Sequence, residues 1–146
     1  MHKVADEVAE KTGLKVLHIA DVTAEAIIQK NKNIVGLLGT DFTMSEDFYK
    51  KRLNDKYNIE VMIPEKMERE RVHRVIYDEL CCGIVKSQSK AEFITIINNL
   101  KDKGAEGVIL GCTEIPMLIE QKDLDIRVFD SMKLHADAIV KEMLNG

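Results

Sequence analysis

Short apolar runs alternate along the chain with longer segments in which apolar positions recur every three to four residues. The short runs are bounded by Gly, Asp, Asn or Pro, which is typical of buried parallel strands. They are Val16–Ile19, Ile34–Leu38, Glu60–Ile63, Gly107–Leu110 and Arg127–Phe129. The longer segments predict helices at His2–Lys11, Thr23–Gln29, Met44–Lys56, Met67–Cys82, Lys90–Lys103 and Met132–Leu144, with a short helix after Thr113. This alternation predicts an α/β fold, a parallel sheet flanked by helices.

Polar residues at the ends of these segments indicate helix boundaries. Asp21 and Ser131 are plausible N-caps, because their side chains can accept hydrogen bonds from free N–H groups of a first helical turn. Gly104 is expected to end the helix before it, since glycine adopts the left-handed conformation that commonly follows a helix.

The composition fits one globular core and argues against several function classes. The chain has 146 residues, 45% apolar and 32% charged, enough for one domain-sized core. A net charge of −4 and an aromatic content of 5% disfavour a nucleic-acid partner. No apolar run approaches the roughly 20 residues of a membrane span, and no signal-peptide pattern is seen, so we expect no membrane partner. Three cysteines make no disulfide framework, which favours a reducing, cytoplasmic setting.

The strongest candidate for chemistry is the segment Gly111-Cys112-Thr113-Glu114, directly after a predicted strand. Ligands of open parallel sheets gather at the carboxyl ends of strands, and a thiol at a strand-to-helix turn is expected to have a lowered pKa. Thr113 can hydrogen-bond a carboxylate or cap the helix, and Glu114 can act as a polar ligand. The alternative is a small buried cysteine beside a capping Thr113, because cysteine is among the most buried residue types.

A second strand end carries two hydroxyl groups. Thr40 and Thr43 follow the run Ile34–Leu38, and two hydroxyls three residues apart at a helix N-terminus can bind a carboxylate or a phosphate. Ordinary N-capping by either threonine explains the same pattern. Asp130 and Ser131, at a third strand end, could line a pocket or cap a helix. The glycines form neither G-x-G-x-x-G nor a P-loop, which disfavours nucleotide binding.

The other thiols and the imidazoles carry weaker signals. Cys81 and Cys82 are adjacent, which is not a metal-ligand spacing, and a structural role is favoured most strongly for Cys82. The four histidines form no close pairs, so we expect no metal site.

Five motifs follow one another in a fixed order and together resemble a known family. They are Gly39-Thr40-x-x-Thr43, Ile63-Pro64, Ile76-Tyr77-Asp78-Glu79-Leu80, Gly104-Ala105-Glu106-Gly107-Val108-Ile109 and Gly111-Cys112-Thr113-Glu114-Ile115. As an ordered set they resemble the aspartate/glutamate racemase superfamily, specifically the aspartate racemase branch and its broader-specificity amino-acid racemase relatives. The resemblance runs from Met1 to the last predicted helix.

The resemblance implies a longer enzyme with two similar α/β halves that face each other across a cleft. Members carry a first catalytic cysteine in a Cys-x-Asn-Thr segment just before the Met-His that here is Met1-His2, and this sequence lacks it. We therefore expect an N-terminally truncated member. Residues 1–30 are expected to be a remnant of the first half and 31–122 the second half. Residues 123–146 are expected to supply a strand and a helix that pack with the remnant.

The same resemblance implies roles for individual residues. Cys112 matches the second catalytic cysteine, Thr113 the substrate-contacting threonine beside it, and Thr40 and Thr43 the hydroxyls that hold a substrate carboxylate. Cys81 falls where aspartate-specific members often carry a basic residue, which favours a broader or different amino-acid substrate. No cofactor is implied, and the expected partners are a small amino acid or dicarboxylate and, through uncovered apolar surface, a second copy of the chain.

Cofactor-free inversion of a stereocentre requires an acid–base group on each face of the carbon, and thiols suit this because their pKa can be tuned. With only one of the two cysteines, the chain alone is expected to be inactive. Two alternatives remain open: a non-catalytic amino-acid or carboxylate-binding module that uses the threonines, and a thiol-reactive protein that uses Cys112 or the Cys81–Cys82 pair.

Overall fold

A four-stranded parallel sheet forms the centre of the fold. The computed structural model describes residues 4–145. The strands are β1 (Ile34–Leu38), β2 (Glu60–Met62), β3 (Gly107–Leu110) and β4 (Arg127–Asp130), in the spatial order β2-β1-β3-β4. The two central strands are almost wholly buried, which explains their unbroken apolar sequences. The predicted α/β fold with a parallel sheet is confirmed.

Within residues 4–145, seven α-helices flank the sheet. They are α1 (Ala5–Thr12), α2 (Ile19–Gln29), α3 (Asp41–Ser45), α4 (Asp47–Tyr57), α5 (Lys66–Asp78), α6 (Ser87–Asp102) and α7 (Ser131–Asn145). Three-residue 3₁₀ turns lie at Leu80–Cys82, Ile115–Met117 and Gln121–Asp123. The helix predicted at Met44–Lys56 is divided at Glu46, which has an extended backbone. The predicted helix start at His2 lies outside the described residues.

The strand predicted at Val16–Ile19 is wrong, because this segment leads directly into α2. His18 is the N-cap of α2, and its Nδ1 accepts the backbone N–H of Ala20 at 3.1 Å. Asp21 therefore lies inside the first turn and is not the N-cap. Its carboxylate instead accepts hydrogen bonds from Arg52, with Nε to Oδ1 at 2.6 Å, and from Lys56 at 2.7 Å. A four-residue apolar run fits a helix start as well as a strand.

The end of α6 agrees with its predicted boundary. Gly104 follows the helix with a φ of +113°, a conformation that L side chains rarely adopt, and its N–H donates to the carbonyl oxygen of Lys101 at 2.9 Å. Beyond this turn the chain enters β3, so the glycine sets the path from the helix back into the sheet.

Little of the surface of the two terminal helices, α1 and α7, is buried by other elements. Ala5 is the buried residue of α1 and Ser131 that of α7, while α7 packs on α2. Large apolar side chains of this region are exposed; they include Val4, Val8, Leu14, Ile139, Val140, Met143 and Leu144. Within residues 4–145, no helix is both long and apolar enough to cross a membrane.

Candidate active site

The turns after β1 and β3 touch each other at one edge of the sheet. Leu38 is paired with Leu110 in the register of the two strands, and the N–H of Gly111 donates to the carbonyl oxygen of Leu38 at 2.7 Å. A Cβ atom on Gly111 would lie 3.1 Å from that oxygen, and one on Gly39 would lie 3.1 Å from Cβ of Thr43. The two glycines therefore allow the threonine turn and the cysteine turn to meet, as their positions at neighbouring strand ends predict.

Thr40 and Thr43 form a hydroxyl pair at the end of β1. Their Oγ1 atoms are 3.1 Å apart, and Thr40 Oγ1 also accepts the N–H of Thr43 at 3.3 Å. Thr40 is thus the N-cap of α3, the alternative that the sequence left open. Because α3 has only five residues, a helix dipole adds little to anion binding here. The two half-buried hydroxyls remain as hydrogen-bonding groups beside the cysteine turn.

Cys112 lies at the end of β3 and is half-buried. Its Sγ–H donates to Oε2 of Glu114 at 2.9 Å. Partial burial, followed by the neighbouring carboxylate, raises the pKa of the Cys112 thiol to about 12, because both disfavour a thiolate. The same hydrogen bond, together with one from Thr113, lowers the pKa of Glu114. The resting pair is therefore a protonated thiol beside an ionised carboxylate.

The expectation that the thiol of Cys112 has a lowered pKa is wrong for this structure. It assumed that a regular helix follows the strand and directs its N-terminal N–H groups at the sulfur. Only the three-residue turn Ile115–Met117 follows, so no helix dipole is available to stabilise a thiolate. Glu114 brings a negative charge to the same place. The sequence shows that Glu114 is present, but it does not show toward which neighbour the Glu114 side chain turns.

The remaining residues of this predicted site differ in their exposure. Thr113 is exposed, whereas Glu114 is partly buried. Cys81 is exposed on the turn Leu80–Cys82, and local desolvation, then the charges of Glu114 and Cys82, raise its pKa. The influence of Glu114 on both Cys81 and Cys112 brings these three residues into one electrostatic neighbourhood. Cys82 donates weakly to the carbonyl oxygen of Tyr77, with 3.7 Å from sulfur to oxygen.

At the third strand end, after β4, the polar side chains make hydrogen bonds to the backbone, one of which caps α7. Oδ1 of Asp130 accepts the N–H of Lys133 at 3.0 Å, so Asp130 and not Ser131 caps α7. Ser131 is buried and donates its hydroxyl to the carbonyl oxygen of Leu110 at 2.8 Å. The predicted N-cap is therefore displaced by one residue. A cavity of about 580 Å³ opens beside β4 and is lined by charged side chains of both signs, among them Lys30, Arg127 and Asp137.

Sequence reasoning missed a contact between α5 and the threonine turn. The backbone N–H of Asp41 donates to Nδ1 of His73 at 3.2 Å, and Nε of Arg69 lies 3.7 Å from Oδ1 of Asp41. Arg69 and His73 are four residues apart and so share one face of α5. That spacing was present in the sequence, but nothing in it indicated which turn the face would meet. Among residues 4–145, no three His, Cys, Asp or Glu side chains converge to hold a metal ion.

Known proteins share this fold. Residues 1–139 match the profile of the Asp/Glu/hydantoin racemase family. The chain belongs to this family. It superposes on a candidate Asp/Glu racemase from Yersinia pestis with a TM-score of 0.95, 44% identity and coverage of 99% of this chain. An aspartate racemase homologue from Pyrococcus horikoshii OT3 gives a TM-score of 0.89, 38% identity and 96% coverage.

This racemase-family chain spans only part of those solved relatives, 63% of the Yersinia chain and 61% of the Pyrococcus chain. A curated relative, the uncharacterized protein in the pnlA 3′ region of Pectobacterium carotovorum subsp. carotovorum, is 31% identical over 121 residues. That match covers 80% of this chain and 76% of the relative. The five ordered motifs resemble the same family to which the chain belongs. The solved relatives of the chain include an aspartate racemase homologue.

Proposed function

We propose that this chain is the Cys112-bearing part of a cofactor-independent amino-acid racemase of the aspartate/glutamate type. The observation that carries the proposal is the thiol of Cys112, half-buried at the end of β3 and 2.9 Å from the carboxylate of Glu114. The glycine contact beside it brings the hydroxyls of Thr40 and Thr43 to the neighbouring strand end. An acid–base group beside hydrogen-bond donors for a carboxylate is what proton transfer at an amino-acid Cα requires.

In this proposal Cys112 serves one face of the substrate. A base on the opposite face removes the Cα proton, and the electron pair of the broken C–H bond is left on a carbanion next to the α-carboxylate. The S–H proton of Cys112 then moves to Cα, forming the new C–H bond and leaving a thiolate. In the reverse direction the thiolate is the base. Its raised pKa makes it a stronger base but a rarer species at neutral pH.

Substrate recognition is assigned to the polar groups around the thiol. Thr40, Thr43 and Thr113 are proposed to hold the α-carboxylate, where their hydroxyls would stabilise charge that develops during proton removal. Cys81 is proposed to face the substrate side chain. A neutral thiol there, with the Glu114 carboxylate in its neighbourhood, supports a substrate range broader than aspartate.

The second acid–base group is proposed to come from another part of the complete enzyme. Of the three cysteines, Cys112 alone follows a buried strand, whereas Cys81 and Cys82 are exposed. Losing one positioned acid or base typically reduces a rate by about 10²–10⁴-fold. We therefore propose that the chain by itself racemises aspartate and glutamate negligibly. Residues 31–122 would form the half that carries Cys112, with 1–30 as a remnant of the other half and 123–146 as a strand and helix that pack with this remnant; β4 also pairs with β3.

Deuterium exchange tests the proposal. The chain is incubated in D₂O with each enantiomer of aspartate, glutamate and alanine. The products are then separated by chiral chromatography, and their deuterium content is measured by mass spectrometry. The chain alone should give negligible inversion, and mixing it with a polypeptide that supplies the Cys-x-Asn-Thr half should give inversion with one Cα deuterium. Cys112→Ala should abolish that inversion and the matched variant Cys82→Ala should retain it. Inversion that survives Cys112→Ala would contradict the assignment.

A second candidate function has support from the raised thiol pKa. At neutral pH a thiol with a pKa near 12 is almost entirely protonated, so the same site could bind a carboxylate through Thr40 and Thr43 without chemistry. Calorimetry with aspartate, glutamate and acetate distinguishes the two functions. A binding module would take up these ligands equally well after Cys112→Ala and would show no deuterium incorporation in any mixture.

A further inference from the structure

The short helix α3 contains Thr43 and is capped by Thr40, the two threonines of the proposed carboxylate site, yet few of its own residues can hold it in place. Five residues are too few to form a stable helix alone. Met44 is its buried residue, whereas Phe42 is 58% exposed. The position of the threonine hydroxyls must therefore be fixed by contacts with neighbouring elements.

One such contact comes from α5. Nδ1 of His73 accepts the backbone N–H of Asp41, the first of the two residues between the threonines, at 3.2 Å. Arg69, one turn earlier on α5, places Nε 3.7 Å from Oδ1 of Asp41. That Nε is shielded from solvent and has no hydrogen-bond partner among residues 4–145. Tyr77, one turn later, packs its ring 4.7 Å from the imidazole of His73.

On its solvent-facing side, the contact between α3 and α5 leaves an open pocket. A cavity of about 670 Å³ lies there, lined by Asp41, Phe42, Ser45, Glu46, Glu70, His73 and Arg74. Where apolar contact is incomplete, a directional hydrogen bond has a larger share in fixing orientation. The exposed bond from Asp41 to His73 is such a tie, because it joins residues 32 positions apart that both line the cavity.

We propose that His73 is a positioning residue for the carboxylate-binding turn. It accepts the Asp41 N–H and thereby holds the turn of Thr40 and Thr43 in its place beside the cysteine turn, where Thr43 lies next to Gly111. His73 acts through the backbone and does not itself touch the substrate. This inference rests on the proposed function, since it concerns the same threonine site.

Amide exchange of the isotopically labelled full chain, followed by NMR, tests the tie directly. His73→Leu removes the acceptor, and we expect exchange at Asp41 to rise by about fivefold to tenfold, the equivalent of one hydrogen bond. His73→Asn offers an amide oxygen near the position of Nδ1 and should restore the protection. Arg74→Gln, on the same helix but without the bond, is the matched control and should behave as the unaltered chain.

The proposal predicts that the rise in amide exchange is confined to the threonine turn. Faster exchange at Asp41 and Thr43, with unchanged exchange at Leu37 and Ile109 in the sheet, supports the proposal. Unchanged exchange at Asp41, or an equal loss of protection in the sheet, overturns it.

Calorimetric titration with L-aspartate separates this inference from the proposed function. An unaltered chain that binds no aspartate contradicts the carboxylate site itself and with it the proposed function. Measurable binding that is weakened by His73→Leu and restored by His73→Asn supports the positioning role. Measurable binding with the same affinity in His73→Leu overturns the positioning role alone.

Discussion

The thiol of Cys112 and the carboxylate of Glu114 are held 2.9 Å apart by a two-residue step at the end of β3, with the sulfur as donor. The carboxylate disfavours a thiolate in the free chain, and partial burial acts in the same direction. Any partner group that neutralises or moves Glu114 would therefore increase the share of thiolate at neutral pH. The protonation state of the Cys112 thiol therefore depends on what binds beside Glu114.

Glu114→Gln should lower the pKa of the Cys112 thiol. The amide has no charge to oppose a thiolate, although partial burial, the larger cause, remains. The fraction of thiolate at neutral pH should rise by about tenfold for every unit by which the pKa falls. The rate of alkylation by iodoacetamide should rise with it, by a smaller factor, because a less basic thiolate is also a weaker nucleophile. The measurement uses a Cys81→Ser, Cys82→Ser background and follows the rate against pH.

Two comparisons sharpen the alkylation experiment. Glu120→Gln removes an exposed carboxylate from the same connecting segment and should leave the rate unchanged. Cys112→Ser in the same background should abolish labelling. An alkylation profile that is the same for Glu114→Gln and the unaltered residue would contradict the role given to this carboxylate.

Gly111→Ala should disturb the contact between the two strand-end turns. The new Cβ would lie 3.1 Å from the carbonyl oxygen of Leu38, a backbone atom that cannot move without shifting β1. Overpacking of this kind typically costs about 1–3 kcal/mol. Gly36→Ala is a matched control, because its close neighbour is the flexible end of the Leu100 side chain. Urea denaturation should show the larger loss for Gly111→Ala, and an equal loss would argue against a special contact.

The strands of the sheet could be predicted from the sequence, because strands that are buried on both faces consist of short, unbroken apolar runs. Gly107–Leu110 is a short apolar run between a glycine turn and Gly111, and its predicted bounds are those of β3. Val16–Ile19 has the same local composition, but a strand needs a neighbour to pair with, and His18 instead accepts an N–H of α2. Short apolar runs do not carry the information that separates these outcomes.

The proximity of the two strand-end turns could be predicted from the sequence, whereas the electrostatics at those turns could not. That the turns of Thr40 and Cys112 lie side by side follows from neighbouring parallel strands. The raised pKa of Cys112 depends first on the partial burial of the thiol and then on the orientation of Glu114, which are tertiary properties. The contact of His73 with Asp41 spans 32 residues and has no local sequence signal.

Asp21 should contribute to stability in a pH-dependent way. Partial burial would raise its pKa, but hydrogen bonds from Arg52 and Lys56 outweigh burial and hold the pKa well below its usual range. A carboxyl whose pKa is lowered by folding stabilises the protein above its unfolded pKa of about 3.9, and this stabilisation is lost as the pH falls. Asp21→Asn should therefore cost about 1–3 kcal/mol near neutral pH, as expected for charged hydrogen bonds, and less in acid.

Urea denaturation between about pH 3 and pH 7 measures this difference. Asp55→Asn, on the exposed side of α4, is the matched control and should change the free energy of unfolding little at any pH in this range. A difference between Asp21→Asn and the unaltered chain that does not shrink toward low pH would contradict the ionic contribution.

The uncovered face of α7 should lead to self-association. Met143 and Leu144 are 77% and 80% exposed at the end of this helix, and Ile139 and Val140 of the same helix are exposed as well. Burying such surface against a second copy removes it from water, at about 25 cal/mol per Å². Sedimentation should therefore give a dimer whose dissociation is promoted by a double change of Met143 and Leu144 to Lys. Met67→Lys, at an equally exposed methionine on α5, should leave the dimer intact; a monomeric unaltered chain at high concentration would contradict the prediction.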